Sequence, residues 1–451
     1  MTSNEGSSEG GSVSGKPDEG KGEKNIAGRR AIGILAFAQC IDFANPQILN
    51  TMYPAIQAAL NLADSALGLL TAIKRGVEIV SVVFWGFLAD RFERREILAV
   101  STLLGGIAAV ATGFAPGRPS FFILTMLINL GTAAMEGQVN SVLSDHYRVQ
   151  ERGKAFGLMR GFAYSGLILG LASFSVMSDT MPLLGWRIAY WAFGAFGLAA
   201  SLTIHFAMVE PERGGTEEAL ATAGARAKGA KVDFKLGLAL AQFRIPTILV
   251  DAVNLVLLGF PKIMLVNFTV TFFVKVRGIR EGQAILITLL GLMGFIIGSV
   301  AGGFAGDRVG KRFGEKARVA LGHVVLALLT VLSWLVFSID SSSVPLFMGI
   351  AFLTAFCIEF MYSITRVVVS TVLLPELRTV GFAIGRVADS LGSIFASLIY
   401  AAIVGRFGIA SSILWLSVGG SAAALVLYFG YYLFFRRDAE RMQATLAGRM
   451  G

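Results

Sequence analysis

Long apolar runs separated by short polar links fill most of this 451-residue chain. Each run has about twenty or more residues, the length that a helix needs to cross the hydrocarbon core of a bilayer. Shorter alternating runs of the strand type are missing, which argues against an outer-membrane barrel. The pattern predicts an all-α membrane protein with about twelve transmembrane helices, near residues 30–58, 65–89, 97–115, 119–145, 154–177, 187–209, 244–275, 282–306, 318–338, 345–373, 381–405 and 410–435.

The composition agrees with a membrane protein and argues against other classes. Hydrophobic residues make up 55% of the chain and charged residues 15%, against about a quarter charged in soluble proteins. The net charge of +9 could indicate nucleic-acid binding. However, the Lys and Arg residues lie in short links between apolar runs, so we expect a lipid bilayer and no nucleic acid. Cys40 and Cys357 fall inside apolar runs, and we expect no disulfide, metal or cofactor.

One ten-residue motif occurs twice. Gly86–Arg95 reads GFLADRFERR and Gly303–Arg312 reads GFAGDRVGKR, at an offset of 307 − 90 = 217 residues. A basic turn between two apolar helices, repeated once per half, predicts two six-helix bundles related by internal duplication. The motif residues of interest are Gly86, Asp90, Arg91, Arg94 and Arg95 in the first copy, and Gly303, Asp307, Arg308, Lys311 and Arg312 in the second. Both leading glycines are expected to let helices approach closely.

Polar segments divide the chain into five parts. We predict a disordered cytoplasmic tail at 1–28, a first bundle at 29–209, a cytoplasmic linker at 210–243, a second bundle at 244–436 and a cytoplasmic tail at 437–451. The basic residues cluster on one side of the predicted helices. By the positive-inside rule both termini are therefore cytoplasmic, and we expect a bacterial inner (plasma) membrane.

The paired motifs, the six plus six helices and the central linker resemble the major facilitator superfamily of transporters, over residues 29–436. The family writes its loop between helices 2 and 3 as G-x-L-a-D-R-x-G-R-R/K, and Glu93 replaces the second glycine here. The family's helix-4 arginine and its helix-5 proline motif are missing, which argues against a multidrug antiporter. The stretch Pro54–Gln57 also resembles spinster-like sphingolipid transporters. The resemblance implies the family fold, a small-molecule substrate and no enzymatic activity, and we expect a monomer.

The resemblance also assigns a role to the motif. Asp90, at the end of helix 2, would accept hydrogen bonds from the free backbone N–H groups that begin helix 11, near Thr379–Gly381. The motif arginines would hold neighbouring acids and helix ends, so that the motif acts as a latch that closes the cytoplasmic side. The alternative is that the basic residues only set the topology.

Nine ionisable residues lie inside the predicted membrane runs. At the bilayer centre each would cost about 2.5–3.5 kcal/mol, so they must face one another or a water-filled cavity. Lys74 and Glu78 are four residues apart and share a helix face, as do Glu359 and Arg366, seven apart. The first pair is either a satisfied core pair or a substrate contact. The nine residues are Asp42, Lys74, Arg75, Glu78, Glu136, Arg160, Lys262, Glu359 and Arg366.

Two prolines point to the midplane of the membrane. Pro46 and Pro261 stand at nearly equivalent places in the two halves, since 261 − 46 = 215. Proline frees a backbone carbonyl, and paired interruptions mark the binding site of many transporters. The alternative is a pair of ordinary kinks. The polar neighbours of these prolines are Asn45, Gln47, Asn254 and Asn267.

Together these residues predict a proton-coupled symporter of a small amphipathic organic anion. The candidate proton carriers are Asp42, Glu136 and Glu359. The candidate substrate-binding residues are Asn45, Gln47, Lys74, Arg75, Glu78, Asn254, Lys262, Asn267 and Arg366. The alternatives are a facilitator or a (lyso)lipid or drug exporter on the same fold, a channel, a non-transporting receptor and a membrane enzyme. The sequence has no catalytic constellation for the last.

Overall fold

A computed structural model describes residues 19–89, 91–135, 138–139, 142, 149–181, 183–208, 244–373 and 378–450. The first half contains α1 (Glu19–Thr51), α2 (Tyr53–Leu60), α3 (Ser65–Ala89), α4 (Arg94–Gly113), α5 (Arg118–Thr132), α6 (Val149–Thr180) and α7 (Gly185–Ala207). The second half contains α8 (Pro246–Asn267), α9 (Thr269–Lys275), α10 (Glu281–Phe313), α11 (Glu315–Ser338), α12 (Val344–Val372), α13 (Arg378–Leu427) and α14 (Phe429–Met450).

The twelve predicted spans coincide with these helices, which confirms the all-α fold. Within the described residues, nine helices are long and apolar enough to cross a membrane by themselves. The other three spans escape that test for identifiable reasons. Helix α3 carries three charged residues, α5 has only 15 described residues, and α13 contains two spans divided at Gly408, whose φ of 77° breaks the helix.

The helices differ from the prediction at three ends. Helix α1 begins at Glu19, before the predicted start near residue 30. Helix α14 runs to Met450, through the segment expected to be a tail. The second motif copy is not a turn, because α10 continues to Phe313 and the chain turns at Gly314, with a φ of 85°. Lys311 and Arg312 of that copy therefore lie in the last turn of a helix, where they complement its dipole.

A glycine face on α10 holds the second half together. Cβ atoms added at Gly294 and Gly298 would overlap the carbonyl oxygens of Phe352 and Phe356 on α12, and one at Gly302 would lie 2.7 Å from that of Phe360. Lipid tails provide no hydrophobic drive between helices, so close backbone approach of this kind supplies much of the packing energy. The neighbouring Gly303 was expected to serve the same purpose, and this expectation is wrong. Among the described residues, a Cβ added to Gly303 would meet nothing within 4 Å.

We expect Gly298→Ala to destabilise the protein by about 1–3 kcal/mol, since the added methyl group must push α10 and α12 apart. Its Tm in detergent should fall, while Gly303→Ala, one turn later on the same helix, should keep the wild-type Tm because its methyl group meets open space. Equal Tm values for the two variants would show that the glycine face does not hold the helices together.

Candidate functional site

A lysine, an aspartate and a tyrosine meet in the middle of the second half. The Lys262 ammonium on α8 lies 2.9 Å from Oδ2 of Asp389 on α13. The Tyr362 hydroxyl on α12 donates a hydrogen bond to the other oxygen of Asp389, Oδ1. The Lys262 ammonium also lies 4.5 Å from the centre of the Tyr362 ring, a cation–π distance. We call these three residues the central triad; it ties three helices together through a single carboxylate.

A second ion pair lies next to the triad on α12. Glu359 is one turn before Tyr362, and its carboxylate is 4.0 Å from the Arg366 guanidinium. The Glu359 and Arg366 side chains therefore share a helix face, as their spacing predicts. The Arg366 side chain is 63% exposed and that of Glu359 19%, so Arg366 is the more accessible residue of the pair.

The first half presents charges to the triad from α3. Arg75 forms an ion pair of 2.9 Å with Glu78 and lies close enough to Asp389 to attract it electrostatically. Lys74 interacts with both Arg75 and Glu78. Lys74 and Glu78, which the sequence predicts to share a helix face, are thus part of a larger charged group. Within this group, Arg75 faces the second half. The charges of the two halves meet across an opening, since the Arg75 and Glu78 side chains are both more than a third exposed.

Other predicted site residues have structural partners. Asn254 is fully buried and donates to the Ala424 carbonyl, which joins α8 to α13. Asn267 lies 3.5 Å from the Thr71 hydroxyl and so contacts the opposite half. Gln47 accepts a hydrogen bond from Asn50 on its own helix, and Asn45 is buried. Asp42 is half-buried on α1.

Some predicted residues lie outside the described part of the chain. These are Glu136 and Asp90, together with the side chains of Arg160 and Pro46. Gly86 is described only as part of α3. The proline of the second half, Pro261, does lie inside α8, one residue before Lys262.

The sequence reasoning missed Asp389 and Tyr362. Asp389 is an ionisable residue inside the run predicted at 381–405, so the criterion that selected the other nine would also have found it. The same criterion would have found Asp251, which is buried and accepts a hydrogen bond of 2.6 Å from Tyr431. Tyr362 had no comparable signal, because a tyrosine in an apolar helix is ordinary in sequence terms.

The two halves also meet at the end of the bundle opposite the motif copies. Asp64, between α2 and α3, forms an ion pair of 2.6 Å with Lys275 at the end of α9. Asp179 on α6 accepts a hydrogen bond from the Gly282 N–H in the first turn of α10, where the helix dipole favours a carboxylate. We call these four residues the distal contact. It holds the two halves together at that end of the membrane.

The motif copies make contacts within their own halves. Arg95 lies 3.6 Å from Glu93, the residue that replaces the family's glycine, and 3.1 Å from Glu96. Asp307 lies 3.6 Å from Arg318 on α11. Arg318 is buried, donates to the Gly306 carbonyl and pairs with Glu315. Arg308, Lys311 and Arg312 are exposed.

Comparison with known proteins gives the following matches. A family model described as Major Facilitator Superfamily matches residues 35–313. The protein of Cupriavidus necator named Probable sulfoacetate transporter is 26% identical over 175 residues, which are 39% of this chain and 40% of the relative. Protein spinster homolog 1 of Homo sapiens is 21% identical over 188 residues, 41% of this chain and 35% of the relative. Both matches thus span less than half of the relative's length.

A solved structure matches almost the whole chain. It is the crystal structure of a bacterial homologue of the human lysosomal transporter Spinster, in an inward-facing and unoccupied conformation. The TM-score is 0.70 at 16% sequence identity, and the match covers 93% of this chain and 98% of that one. The similarity to spinster-like proteins that Pro54–Gln57 suggested is therefore confirmed.

The distal contact gives a pH-dependent prediction. Partial burial raises the pKa of the Asp64 carboxyl, but hydrogen bonds from Lys275 and Gln57 outweigh burial and hold the pKa below its ordinary value. Ionised Asp64 therefore stabilises the fold at pH values above the pKa of the unfolded chain, and this stabilisation is lost as the pH falls through the folded pKa. We expect Asp64→Asn to lower Tm at pH 7, by the equivalent of up to about 1 kcal/mol, with the difference vanishing in acid.

The matched control is Asp340→Asn. Asp340 pairs with Arg277 at 2.7 Å within the second half, but its side chain is 94% exposed. Its replacement should change Tm less than that of Asp64 at neutral pH. A Tm difference between wild type and Asp64→Asn that stays constant from neutral to acid pH would contradict the assigned ion pair.

Proposed function

The chain belongs to the major facilitator superfamily, and on that basis we propose that it is a secondary active transporter that carries a small amphipathic organic anion together with protons. The family is one of integral, multi-pass membrane transporters and not of enzymes. The proposal covers the substrate class, the coupling ion and the gates.

The observation that carries the proposal is the central triad. Lys262 lies near the middle of the segment formed by α8 and α9, where a bare cation would be costly, and its charge is neutralised by Asp389 at 2.9 Å. The Lys262 and Asp389 side chains are about a quarter exposed (27% and 23%). They therefore face a space that a ligand can enter, and a lysine in such a space suits an anionic ligand.

The surroundings of the triad support an organic anion of modest size. Arg75 and Arg366 provide two further cations, from α3 and α12, and the Tyr362 ring provides an apolar face beside the Lys262 ammonium. A carboxylate or sulfonate with a short organic body matches this combination. The C. necator relative is named for sulfoacetate, a small organic anion, which favours the same class.

Proton coupling rests on the carboxyl groups at this depth. Asp42, Glu136 and Glu359 are the carriers that the sequence suggests, and Glu359 lies one turn from Tyr362. Carboxyl groups inside membrane helices commonly relay protons in transporters. A facilitator would have the same fold without this coupling, and transport measurements separate the two.

The two ends of the bundle supply the gates. The distal contact closes one end with a partly exposed ion pair and a hydrogen bond to a helix end, which cost little to break. Asp90 and the start of α13 close the motif end as a latch when the distal contact opens. We infer from the basic residues of the motif end, by the positive-inside rule, that this end and both termini lie on the cytoplasmic side of a bacterial inner membrane. The transporter works as a monomer, since each chain contains both halves.

Uptake into liposomes tests the proposal. Proteoliposomes with an acidic exterior should accumulate radiolabelled sulfoacetate or benzoate faster than those without a pH gradient. Lys262→Gln should reduce uptake at least tenfold, because the anion loses its cationic partner. The control is Lys316→Gln, an exposed lysine at the start of α11, which should transport like wild type. Uptake that ignores the pH gradient would indicate a facilitator, and full uptake by Lys262→Gln would place the site elsewhere.

The latch is tested separately. Asp90→Asn should slow uptake several-fold and leave the anion affinity unchanged, because it weakens a gate and not the binding site. Asp307→Asn is the matched control, since Asp307 pairs with Arg318 inside its own half. Lost anion binding in a folded Asp90→Asn protein would assign Asp90 to the site instead of the gate.

A further inference from the structure

Each oxygen of the Asp389 carboxylate contacts a donor that could also bind the carboxylate of a ligand. Oδ2 takes the Lys262 ammonium at 2.9 Å and Oδ1 takes the Tyr362 hydroxyl. A carboxylate or sulfonate of a substrate would need the same two donors. We propose that Asp389 occupies the anion position in the empty transporter, and that a proton taken up by Asp389 frees Lys262 and Tyr362 for the substrate anion. This inference rests on the proposed function and assigns the coupling proton to a residue outside the three carriers named above.

The exchange keeps the charge of the site constant. In the empty state Lys262 is positive and Asp389 negative, so the pair is neutral. An anion that bound beside an ionised Asp389 would leave one excess negative charge, at a cost of roughly a hundredfold in affinity at this depth. When the proton adds to the Asp389 carboxylate, the anion replaces one negative charge with another. Lys262 stays protonated throughout, and the proton leaves with the anion on the other side.

Lys262 and Tyr362 keep their positions when the Asp389 carboxylate moves away. The Lys262 ammonium rests 4.5 Å from the centre of the Tyr362 ring, an attraction that persists without Asp389. Tyr362 is buried and so keeps its orientation. Asp389 belongs to α13 whereas the two donors belong to α8 and α12, so release of the carboxylate loosens α13 from its neighbours. Substrate binding is thereby linked to helix movement.

The other charged groups around Asp389 already have partners of their own. Arg75, which approaches Asp389 from α3, pairs with Glu78 at 2.9 Å. Arg366 on α12 pairs with Glu359 at 4.0 Å. Arg386, one turn before Asp389 on its own helix, is exposed. These groups set how readily Asp389 takes a proton, but Asp389 is the carboxylate that touches both Lys262 and Tyr362.

A stoichiometry follows from the exchange. One proton enters for each monoanion that binds, so the transport of a monoanion is electroneutral, and a dianion carries one net negative charge. Because binding consumes one proton, the apparent affinity for a monoanion should fall about tenfold per pH unit wherever Asp389 is ionised in the empty protein.

The test measures anion binding to the purified full-length protein, with benzoate as the monoanion. Wild type should be stabilised by benzoate at pH 6, with an apparent affinity at least tenfold lower at pH 8. Asp389→Asn should bind benzoate equally well at both pH values, because its Lys262 has no carboxylate to displace. The double variant Lys262→Gln/Asp389→Asn is neutral again and should not respond to benzoate. In Glu359→Gln, which removes a candidate carrier one turn from Tyr362, the apparent affinity should still fall at least tenfold between pH 6 and pH 8. Asp340→Asn, which removes an exposed carboxylate far from the triad, is the control that should behave like wild type.

A measurement on wild type alone covers the case in which Asp389→Asn fails to fold. With a pH-indicator dye in weak buffer at pH 8, benzoate binding should take up one proton per anion bound, and binding without proton uptake overturns the inference. A pH-dependent affinity that persists in Asp389→Asn, or that disappears in Glu359→Gln, also overturns it, while the transport of anions still stands. If neither wild type nor Asp389→Asn binds benzoate or sulfoacetate, the proposed function fails and the inference with it.

Discussion

The free-energy cost of a bare charge inside a bilayer is the constraint on which the interior of this protein depends. Three cations inside the membrane helices each have a carboxylate close by: Lys262 has Asp389, Arg75 has Glu78 and Arg366 has Glu359. Such pairs are costly to assemble in a low-dielectric interior and are no better for stability than apolar packing. The proposed binding of ligand and proton would account for their presence at this depth, because it requires a cation with a replaceable partner.

The second half is tightly packed, and the two halves meet both through close helix packing and through weaker polar contacts. Inside the second half, backbone contacts along the glycine face of α10 leave no room for adjustment. Between the halves, a Cβ added at Gly68 on α3 would overlap the Ser397 carbonyl oxygen on α13. The distal contact consists of one partly exposed ion pair and a capped helix end, and such polar interactions each contribute little. If the halves rock against each other as rigid bodies, the distal contact is where they would separate most readily, because its interactions are the weakest of these.

The two motif copies have come to differ in detail. Glu93, which replaces a glycine, gives Arg95 an extra carboxylate at 3.6 Å. The second copy has no such acid, continues as helix to Phe313 and places Asp307 against Arg318. The two copies share a sequence pattern, but each has its own local partners. Their similarity therefore indicates a common origin and not a common set of contacts.

The sequence by itself determined the class of protein, the number of spans and the duplication. The class and the number of spans follow from the length of the hydrophobic runs, which the thickness of the bilayer sets. The duplication follows from the repeated motif. It also identified Lys262, Arg75 and Arg366 as charges that need partners, and Glu359 as the partner of Arg366. It did not identify Asp389 or Tyr362 as the partners of Lys262, nor the distal contact, because these residues come from helices far apart in the chain. Only the tertiary structure decides which helix faces meet, since each helix can satisfy its own backbone hydrogen bonds in any orientation.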